Sequence, residues 1–252
     1  GYPAAEEPRP TPLGELPATW SEATELVVVG RVRRVRDHGG VLFVVLTDGG
    51  RSIQLLLDAA TLARAALRRF AHLISGGDLL RVTGRPGRSR TGTPSLLVDE
   101  WTIEAKALHP IPFESFEDPE TRLRQRSVDL IVHPEQADLL RQRSAVVRAV
   151  RASLDSAGYL EVETPMLQSV HGGATARPFQ TFSNAYGVDL SLRIAPELYL
   201  KRLLVGGLGP IYELGRNFRN EGADATHNPE FTSLEVYRPH ADYVTMRHLT
   251  ED

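Results

Sequence analysis

Residues 25–104 contain a series of short apolar runs, each closed by turn residues, and this pattern allows few folds. The first three runs are ELVVVGRVRRVRD, VLFVVLTD and RSIQLLL, and the turns between them are rich in glycine. Runs of β-branched and aliphatic residues bounded by Asp-Gly or His-Gly turns are typical of strands linked by hairpins. The sequence therefore predicts three consecutive antiparallel strands, beginning near Glu25.

A helix and two more strands are predicted to follow. DAATLARAALRRFAHLI has apolar residues at helical spacing, with Asp58 as the expected N-cap and Gly76-Gly77 as the expected stop. DLLRVTGR and SLLVDEWTIE have the composition of strands. Three strands, a helix and two strands is the element order of the five-stranded OB barrel, whose exposed face often binds oligonucleotides. We assign this barrel to residues 25–108.

Two proline-rich stretches flank the predicted barrel. Residues 1–24 hold five prolines by Pro17, a density that opposes helices and central strands, so we predict a linker there. HPIPFESFEDP contains three prolines and several acids, which favours a hinge over residues 109–133. Pro134 then opens a long amphipathic segment, and Gly158 is placed to end the helix it predicts.

The composition excludes several functional classes. The 252 residues include no cysteine, which rules out disulfides and thiolate zinc sites, and the eight histidines lack a metal-ligand spacing. No run approaches the roughly 18 consecutive apolar residues that a membrane span needs. The chain opens without a basic-then-apolar export signal. We therefore expect a cytoplasmic location and no metal site within this sequence.

Three segments that follow in order from Tyr159 resemble motifs of the class II aminoacyl-tRNA synthetases. YLEVETPMLQ, which contains Pro165, is similar to motif 1, and FRNEGADATHNPEFTSLEVY is similar to motif 2. RIAPELYLKRL between them is characteristic of the lysyl branch. The resemblance implies an all-β OB-fold barrel followed by part of an α+β synthetase domain over residues 134–252, with a mixed, mainly antiparallel sheet and helices. It also implies a homodimer formed through motif 1.

The resemblance implies ATP-dependent activation of L-lysine to lysyl-adenylate and its transfer to tRNA(Lys). The substrate carboxylate attacks the α-phosphorus of ATP, so catalysis rests on positioning and charge stabilisation. Arg219 is the implied catalytic residue, because its planar fork can bridge the α-phosphate and the lysine carboxylate. The implied ATP-binding residues are Arg219, Glu221, His227, Asn228 and Phe231.

Lysine specificity requires acidic side chains, because a cation that leaves water needs a countercharge. The resemblance places Gly173 and Glu197 at the α-amino group and Glu235 and Tyr237 at the ε-ammonium group. Glu235 and Tyr237 are two residues apart in LEVY, so a strand would point both to the same side. The alternative for this pair is an ordinary solvated strand face.

The resemblance also assigns anticodon contacts to the barrel. Phe43 and Gln54 hold the positions that stack on and hydrogen-bond bases, with Arg31 and Glu100 as weaker candidates. A core position is the alternative for Phe43, since it lies in the apolar run VLFVVL. The loop DHGGVL differs from the form expected in the lysyl branch. A modest excess of basic side chains over residues 22–110 suits contact with phosphates.

Two class II features are expected beyond residue 252. They are motif 3, which ends in an ATP-binding arginine, and the acidic ligands of Mg²⁺, so we expect the 252-residue chain alone to be inactive. The entry to the barrel is similar to that of actinobacterial proteins that fuse a lysyl-phosphatidylglycerol synthase to a lysyl-tRNA synthetase. Such a fusion would supply lysyl-tRNA for lipid lysylation at the cytoplasmic side of the membrane.

Two other functions stay open at this point. An asparaginyl-type synthetase would share the barrel and the motifs, although the acids Glu197 and Glu235 suit a cationic side chain better. A non-catalytic module, in which a decayed synthetase domain only helps to bind tRNA or another oligonucleotide, would not need the motif 2 residues Arg219, Glu221 and Phe231. Their presence favours an enzyme.

Overall fold

A computed structural model of the chain describes residues 9–16 and 25–251. It divides into two compact units, Gly1–Gln142 and Arg143–Asp252. Residues 1–8 and 17–24 of the predicted linker lie outside the described residues.

The first unit contains the predicted barrel. Its elements are β1 (Leu26–Asp37), β2 (Val41–Asp48), β3 (Arg51–Asp58), α1 (Arg64–Leu73), β4 (Leu79–Arg88) and β5 (Pro94–Ala105). The strands close in the order β1-β2-β3-β5-β4. All neighbours pair antiparallel except β3 and β5, which run parallel and are joined only at Leu55 with Leu96 and Leu56 with Leu97. The predicted OB-fold architecture is therefore confirmed.

Alternating side chains fill the barrel. On β2, Leu42, Val44 and Leu46 point inward and are buried, while the residues between them face outward. Helix α1 covers one opening with Leu67 and Phe70, and the ring of Phe70 meets Trp101 edge-on at 5.0 Å between centroids. This inner layer leaves the outer face of the strands free to carry functional side chains.

The predicted N-cap of α1 is wrong. Asp58 is the last residue of β3, and its carboxylate accepts hydrogen bonds from the backbone N–H groups of Ala60 and Thr61 at 3.0 and 2.9 Å. The helix begins six residues later, after Ala63, which makes no side-chain cap. An aspartate satisfies a turn as readily as a helix terminus, and here the turn at the strand end takes its oxygen.

Ordered segments lie within the predicted linker and the predicted hinge. Leu13 lies in a 3-10 helix, Leu13–Glu15, and is buried in the barrel core, so this part of the predicted linker packs against the domain. The predicted hinge contains two short helices, α2 (Pro119–Arg124) and α3 (Arg126–Val132). Proline opposes helix interiors but suits the first turn, where Pro119 lies.

The second unit continues the chain with small sheets and helices. Its elements are α4 (Gln136–Ser156, in which the division between units falls), β6 (Leu160–Glu161), β7 (Leu167–Gln168), β8 (Gln180–Ser183), β9 (Val188–Leu192), α5 (Glu197–Val205), β10 (Ile211–Phe218), β11 (Glu230–Tyr237) and α6 (Tyr243–Glu251). One sheet has the order β11-β10-β6 and the other β7-β9-β8. The pair β10–β11 is antiparallel and β10–β6 is parallel. This mixed α+β arrangement agrees with the predicted class.

A buried carboxylate links the start of β4 to the residues that follow the end of β5. Asp78 is fully buried and accepts hydrogen bonds from the N–H groups of Ser75 and Ala107 and from Lys106 Nζ, at 2.8, 2.9 and 2.6 Å. Burial alone raises the pKa of Asp78, but these bonds and the charge of Lys106 outweigh it and hold the pKa below its usual value.

We expect Asp78→Asn to destabilise the barrel by about 2–3 kcal/mol at pH 7, because a charged acceptor is lost from three donors. A depressed folded-state pKa contributes stability above the unfolded pKa, and that contribution disappears as the pH falls through the folded value. Urea unfolding from pH 7 to pH 3 should therefore show that the difference in the free energy of unfolding between wild type and variant becomes smaller as the pH falls. A gap that widens at low pH would contradict this account.

Candidate active site

The hairpin of β10 and β11 brings together residues from both sides of the motif 2 loop. In its antiparallel register, Glu213 lies opposite Glu235 and Asn217 lies opposite Phe231. Arg219 follows directly after β10, and its N–H donates to the carbonyl oxygen of Pro229 at 2.8 Å. One end of the hairpin thus carries acids, and the other carries the arginine and the aromatic ring.

Arg219 and Phe231 form a cation–aromatic contact. The guanidinium carbon lies 5.0 Å from the centre of the phenylalanine ring. Arg219 Nε is buried and has no hydrogen-bond partner among residues 9–16 and 25–251. A buried N–H without a partner has lost its hydrogen bond to water and gained no replacement, so binding of a ligand that offers an acceptor is favoured. A phosphate beside the guanidinium and a purine on the ring would use both groups.

The remaining ATP-binding candidates lie in the exposed loop after Arg219. Glu221 accepts a hydrogen bond from the N–H of Arg177 at 3.1 Å. His227 and Asn228 are exposed. Asp224 orders the loop by binding Thr226 and His227, and the N–H of Thr226 and the His227 ring lower the pKa of Asp224 to about 2.

The four lysine-binding candidates form two contacting pairs. The Tyr237 hydroxyl donates to Glu235 Oε2 at 2.9 Å, so the two side chains do share one side of β11, as the spacing predicts. Gly173 has φ of +86°, and a Cβ there would approach the Cβ of Glu197 to 2.8 Å, which explains why glycine suits the position. Glu197 also forms an ion pair with Lys201 at 2.6 Å.

Burial is the largest cause that shifts the titration of Glu235 and Tyr237. It raises the pKa of Glu235, and the negative charges of Glu197 and Glu213 raise it further against the opposing effects of Tyr237 and Arg193. Burial and the neighbouring carboxylate likewise raise the pKa of Tyr237. The raised pKa means that the ionised form of Glu235 lacks a sufficient countercharge. A cation that binds beside Glu235 would supply that charge and stabilise the carboxylate.

Sequence reasoning missed a buried ion pair beside Glu235. Arg193 and Glu213 are almost fully buried and bind each other directly, and Thr164 Oγ1 donates to Glu213 Oε2 at 2.7 Å. Arg193 stands between Leu192 and Ile194, and a charged residue among apolar ones is the signal that could have revealed it.

The barrel presents a second candidate site on its outer face. Phe43 is half-buried on the outward side of β2, so the core position considered for it is wrong. Arg36, which sequence reasoning missed, lies with its guanidinium 5.9 Å from the Phe43 ring and 3.4 Å from Gln54 Oε1. Arg36 pairs with Phe43 across β1 and β2, and only the register of these strands reveals that neighbour.

The weaker anticodon candidates lie apart from that cluster. Arg31 pairs with Thr47, four residues further along β2 than Phe43, a separation of about 13 Å on one strand. Its guanidinium donates to the Gly77 carbonyl at 2.6 Å. Glu100 is exposed on β5, opposite Thr83. We therefore define the outer-face cluster as Arg36, Phe43 and Gln54.

A closed OB barrel joined to an α+β unit with a motif 2 hairpin defines a class II aminoacyl-tRNA synthetase. Family comparison agrees, since residues 118–252 match the model of tRNA synthetases class II (D, K and N), and residues 26–104 match the OB-fold nucleic acid binding domain. The chain belongs to this class II family, whose members generally use ATP and Mg²⁺.

The curated relatives are more specific in name. The chain is 55% identical over 227 residues, 89% of its length, to the lysylphosphatidylglycerol biosynthesis bifunctional protein LysX of Nocardia farcinica. It is 51% identical over 247 residues, 97% of its length, to the protein of the same name from Rhodococcus jostii. These matches span 20% and 22% of the two relatives, so the chain corresponds to about a fifth of their length.

None of the helices in residues 9–16 and 25–251 is both long and apolar enough to cross a membrane. The same residues contain no cluster of three or more His, Asp or Glu side chains placed to hold a metal ion.

Proposed function

We propose that this chain supplies the anticodon-binding barrel and part of the catalytic domain of an enzyme that activates L-lysine with ATP and transfers it to tRNA(Lys). The observation that carries the proposal is the half-buried Glu235 on β11, the strand that also bears Phe231. Glu235 accepts a hydrogen bond from the Tyr237 hydroxyl and lies opposite Glu213 of β10. Glu235 and Phe231 are four residues apart on β11, so they share a face about 13 Å apart. That spacing suits an amino acid lying between a carboxylate and a bound nucleotide.

The residues divide the chemistry between them. Phe231 would stack on adenine and Arg219 would hold the α-phosphate beside the lysine carboxylate, so that a carboxylate oxygen attacks the α-phosphorus and pyrophosphate leaves. Glu235 and Tyr237 would hold the ε-ammonium, with Glu197 beside Gly173 at the α-ammonium. No group of three or more His, Asp or Glu side chains in the described residues is placed to hold Mg²⁺.

Lysine-dependent exchange of pyrophosphate into ATP by the complete protein that contains this chain tests the proposal directly. Exchange should require lysine and should not occur with asparagine or aspartate. Asparagine-dependent exchange would favour the asparaginyl alternative. A complete protein that binds tRNA but exchanges pyrophosphate with no amino acid would favour the non-catalytic module.

The relatives' names suggest the destination of the product. Because those proteins are named for lysylphosphatidylglycerol biosynthesis, we propose that lysyl-tRNA made here supplies lipid lysylation at the cytoplasmic side of the membrane. We also propose a homodimer formed through the segment around Pro165. Leu160, Met166 and Leu167 are exposed in this segment, and apolar groups in such numbers favour a protein partner.

We expect Phe43→Ala and Gln54→Ala each to raise the KM for tRNA by about 5- to 150-fold, the loss typical of one stacked or bonded base. Ser52→Ala, an exposed change two residues from Gln54 on β3, is the matched control and should have no effect. Charging of tRNA(Lys) measures the effect, and pyrophosphate exchange without tRNA should stay unchanged. A parallel fall in exchange would contradict a role confined to tRNA.

A further inference from the structure

Three acidic side chains surround the proposed ammonium site. Glu213 and Glu235 stand directly opposite each other on β10 and β11, where side chains on one face lie about 5 Å apart at Cβ. Glu197, at the start of α5, adds a third negative charge that acts on Glu235. Like charges directly opposite on a sheet repel, so this arrangement requires a compensating cation.

Arg193 is that cation. It lies immediately after β9, is 1% exposed, and forms an ion pair with Glu213. Its Nε also donates to the Arg216 carbonyl at 2.8 Å, and Nη1, which binds Glu213, donates to Thr164 Oγ1 at 3.1 Å as well. Gly215 leaves space for the guanidinium, because a Cβ at that position would overlap Nη2 of Arg193. Arg193 is therefore fixed in place with its charge directed to Glu213.

Glu235 consequently differs from its two acidic neighbours. Glu213 has Arg193 and Glu197 has Lys201, whereas Glu235 has only the neutral Tyr237 hydroxyl as its partner within the described residues. The groups that act on it are Tyr237 on its own strand, Glu213 on β10, Glu197 on α5 and Arg193 after β9. One carboxylate of three is thus left for an external cation.

We infer that Arg193 and Glu213 form a positioning pair that keeps Glu235 free and gives the site its selectivity for a cationic side chain. The inference rests on the proposed lysine site, and neither residue needs to touch the substrate. Burying an ion pair contributes little to stability by itself, because desolvation offsets the attraction. A pair held this firmly beneath a functional acid has a better explanation in the charge it imposes on that acid.

The charges predict opposite effects for two variants of the complete protein. In Glu213→Gln, Arg193 loses its partner and acts on Glu235 alone, so the pKa of Glu235 falls. In Arg193→Met, two facing acids share the site without a countercharge, so their apparent pKa rises. Since kcat/KM for lysine reports groups of the free enzyme, its acidic limb should move to lower pH in the first variant and to higher pH in the second.

The measurement is lysine-dependent pyrophosphate exchange from pH 5 to pH 8. We expect each limb to move by about half a pH unit, which is about a threefold change in kcat/KM on the limb. The double variant Arg193→Met with Glu213→Gln removes both charges, and its limb should return between those of the single variants. kcat/KM for ATP at saturating lysine should keep the wild-type profile, because bound lysine then fixes the charge of Glu235.

Arg151→Met is the matched control, since Arg151 forms an exposed ion pair with Glu161 in the same unit. It should leave the limb in place. A merely structural role for Arg193 and Glu213 would lower activity without moving the limb, and that outcome would overturn the inference. If thermal melting shows that one single variant does not fold, the direction in which the acidic limb of the other single variant moves tests the inference. A wild-type protein without lysine-dependent exchange would instead overturn the proposed function itself.

Discussion

Glu235→Gln should lower kcat/KM for lysine by about 100-fold or more at pH 7. The glutamine keeps the shape of the side chain but removes the countercharge from a half-buried ammonium, and losing one partner of such a pair costs about 3 kcal/mol. The Tyr237 hydroxyl can still donate to the amide oxygen, so the strand should keep its position. The loss should fall on lysine and leave the KM for ATP nearly unchanged.

The matched control lies on the same strand. Glu230→Gln removes an exposed carboxylate that pairs with Arg216 at 3.0 Å, and such surface pairs contribute little. Pyrophosphate exchange at varied lysine and varied ATP separates the two affinities. Equal losses for both substrates in Glu235→Gln would assign the residue to general folding of the site and contradict its role at the ε-ammonium.

Arg219→Lys is expected to reduce kcat for exchange by about 100- to 1,000-fold, or about 2.7–4 kcal/mol of transition-state stabilisation. Lysine keeps the charge but replaces a planar fork by a single point donor, so it cannot bridge phosphate and carboxylate in the same way. It also changes the cation–aromatic contact that the Arg219 guanidinium makes with the Phe231 ring. The effect should therefore appear in kcat more than in either KM.

Arg216→Lys is the control for this change, because Arg216 is an exposed arginine of the neighbouring strand β10 with only a surface ion pair. It should retain wild-type exchange within about twofold, as expected for a surface pair. Single-turnover measurements distinguish the chemical step from product release. An Arg219→Lys enzyme with unchanged single-turnover rate would remove this arginine from the reaction.

The strands of the barrel could be predicted from sequence because their signals are local. Alternation along β2 and the glycine-rich turns on either side of it act over a few residues, and the structure follows them. Asp58 was misassigned because turns and helix starts use the same aspartate chemistry. Leu13 was missed because a single apolar residue among prolines gives no periodic signal, although its side chain fills the barrel core.

The candidate site was predictable only in part. The pairing of Glu235 with Tyr237 followed from a two-residue spacing on one strand, and the structure bears out that contact. The contacts of Arg193 with Glu213 and of Arg36 with Gln54 join residues 20 and 18 positions apart. Such contacts depend on strand register and tertiary packing, which no local pattern in the sequence specifies.

The short parallel seam between β3 and β5 has a consequence for the order of folding. β1, β2 and β3 are joined by tight hairpins and can pair soon after they meet, on the microsecond scale of hairpin formation. β3 and β5 meet only through two residue pairs some 40 positions apart, with α1 and β4 between them in the chain. Closing that loop requires the intervening chain to be ordered first, because the chain loses conformational entropy before the β3–β5 contacts that stabilise the closed barrel can form. Barrel closure, at this seam and at the β1–β4 pairing of residues 48 to 58 positions apart, is thus the step that should set the folding rate of the domain.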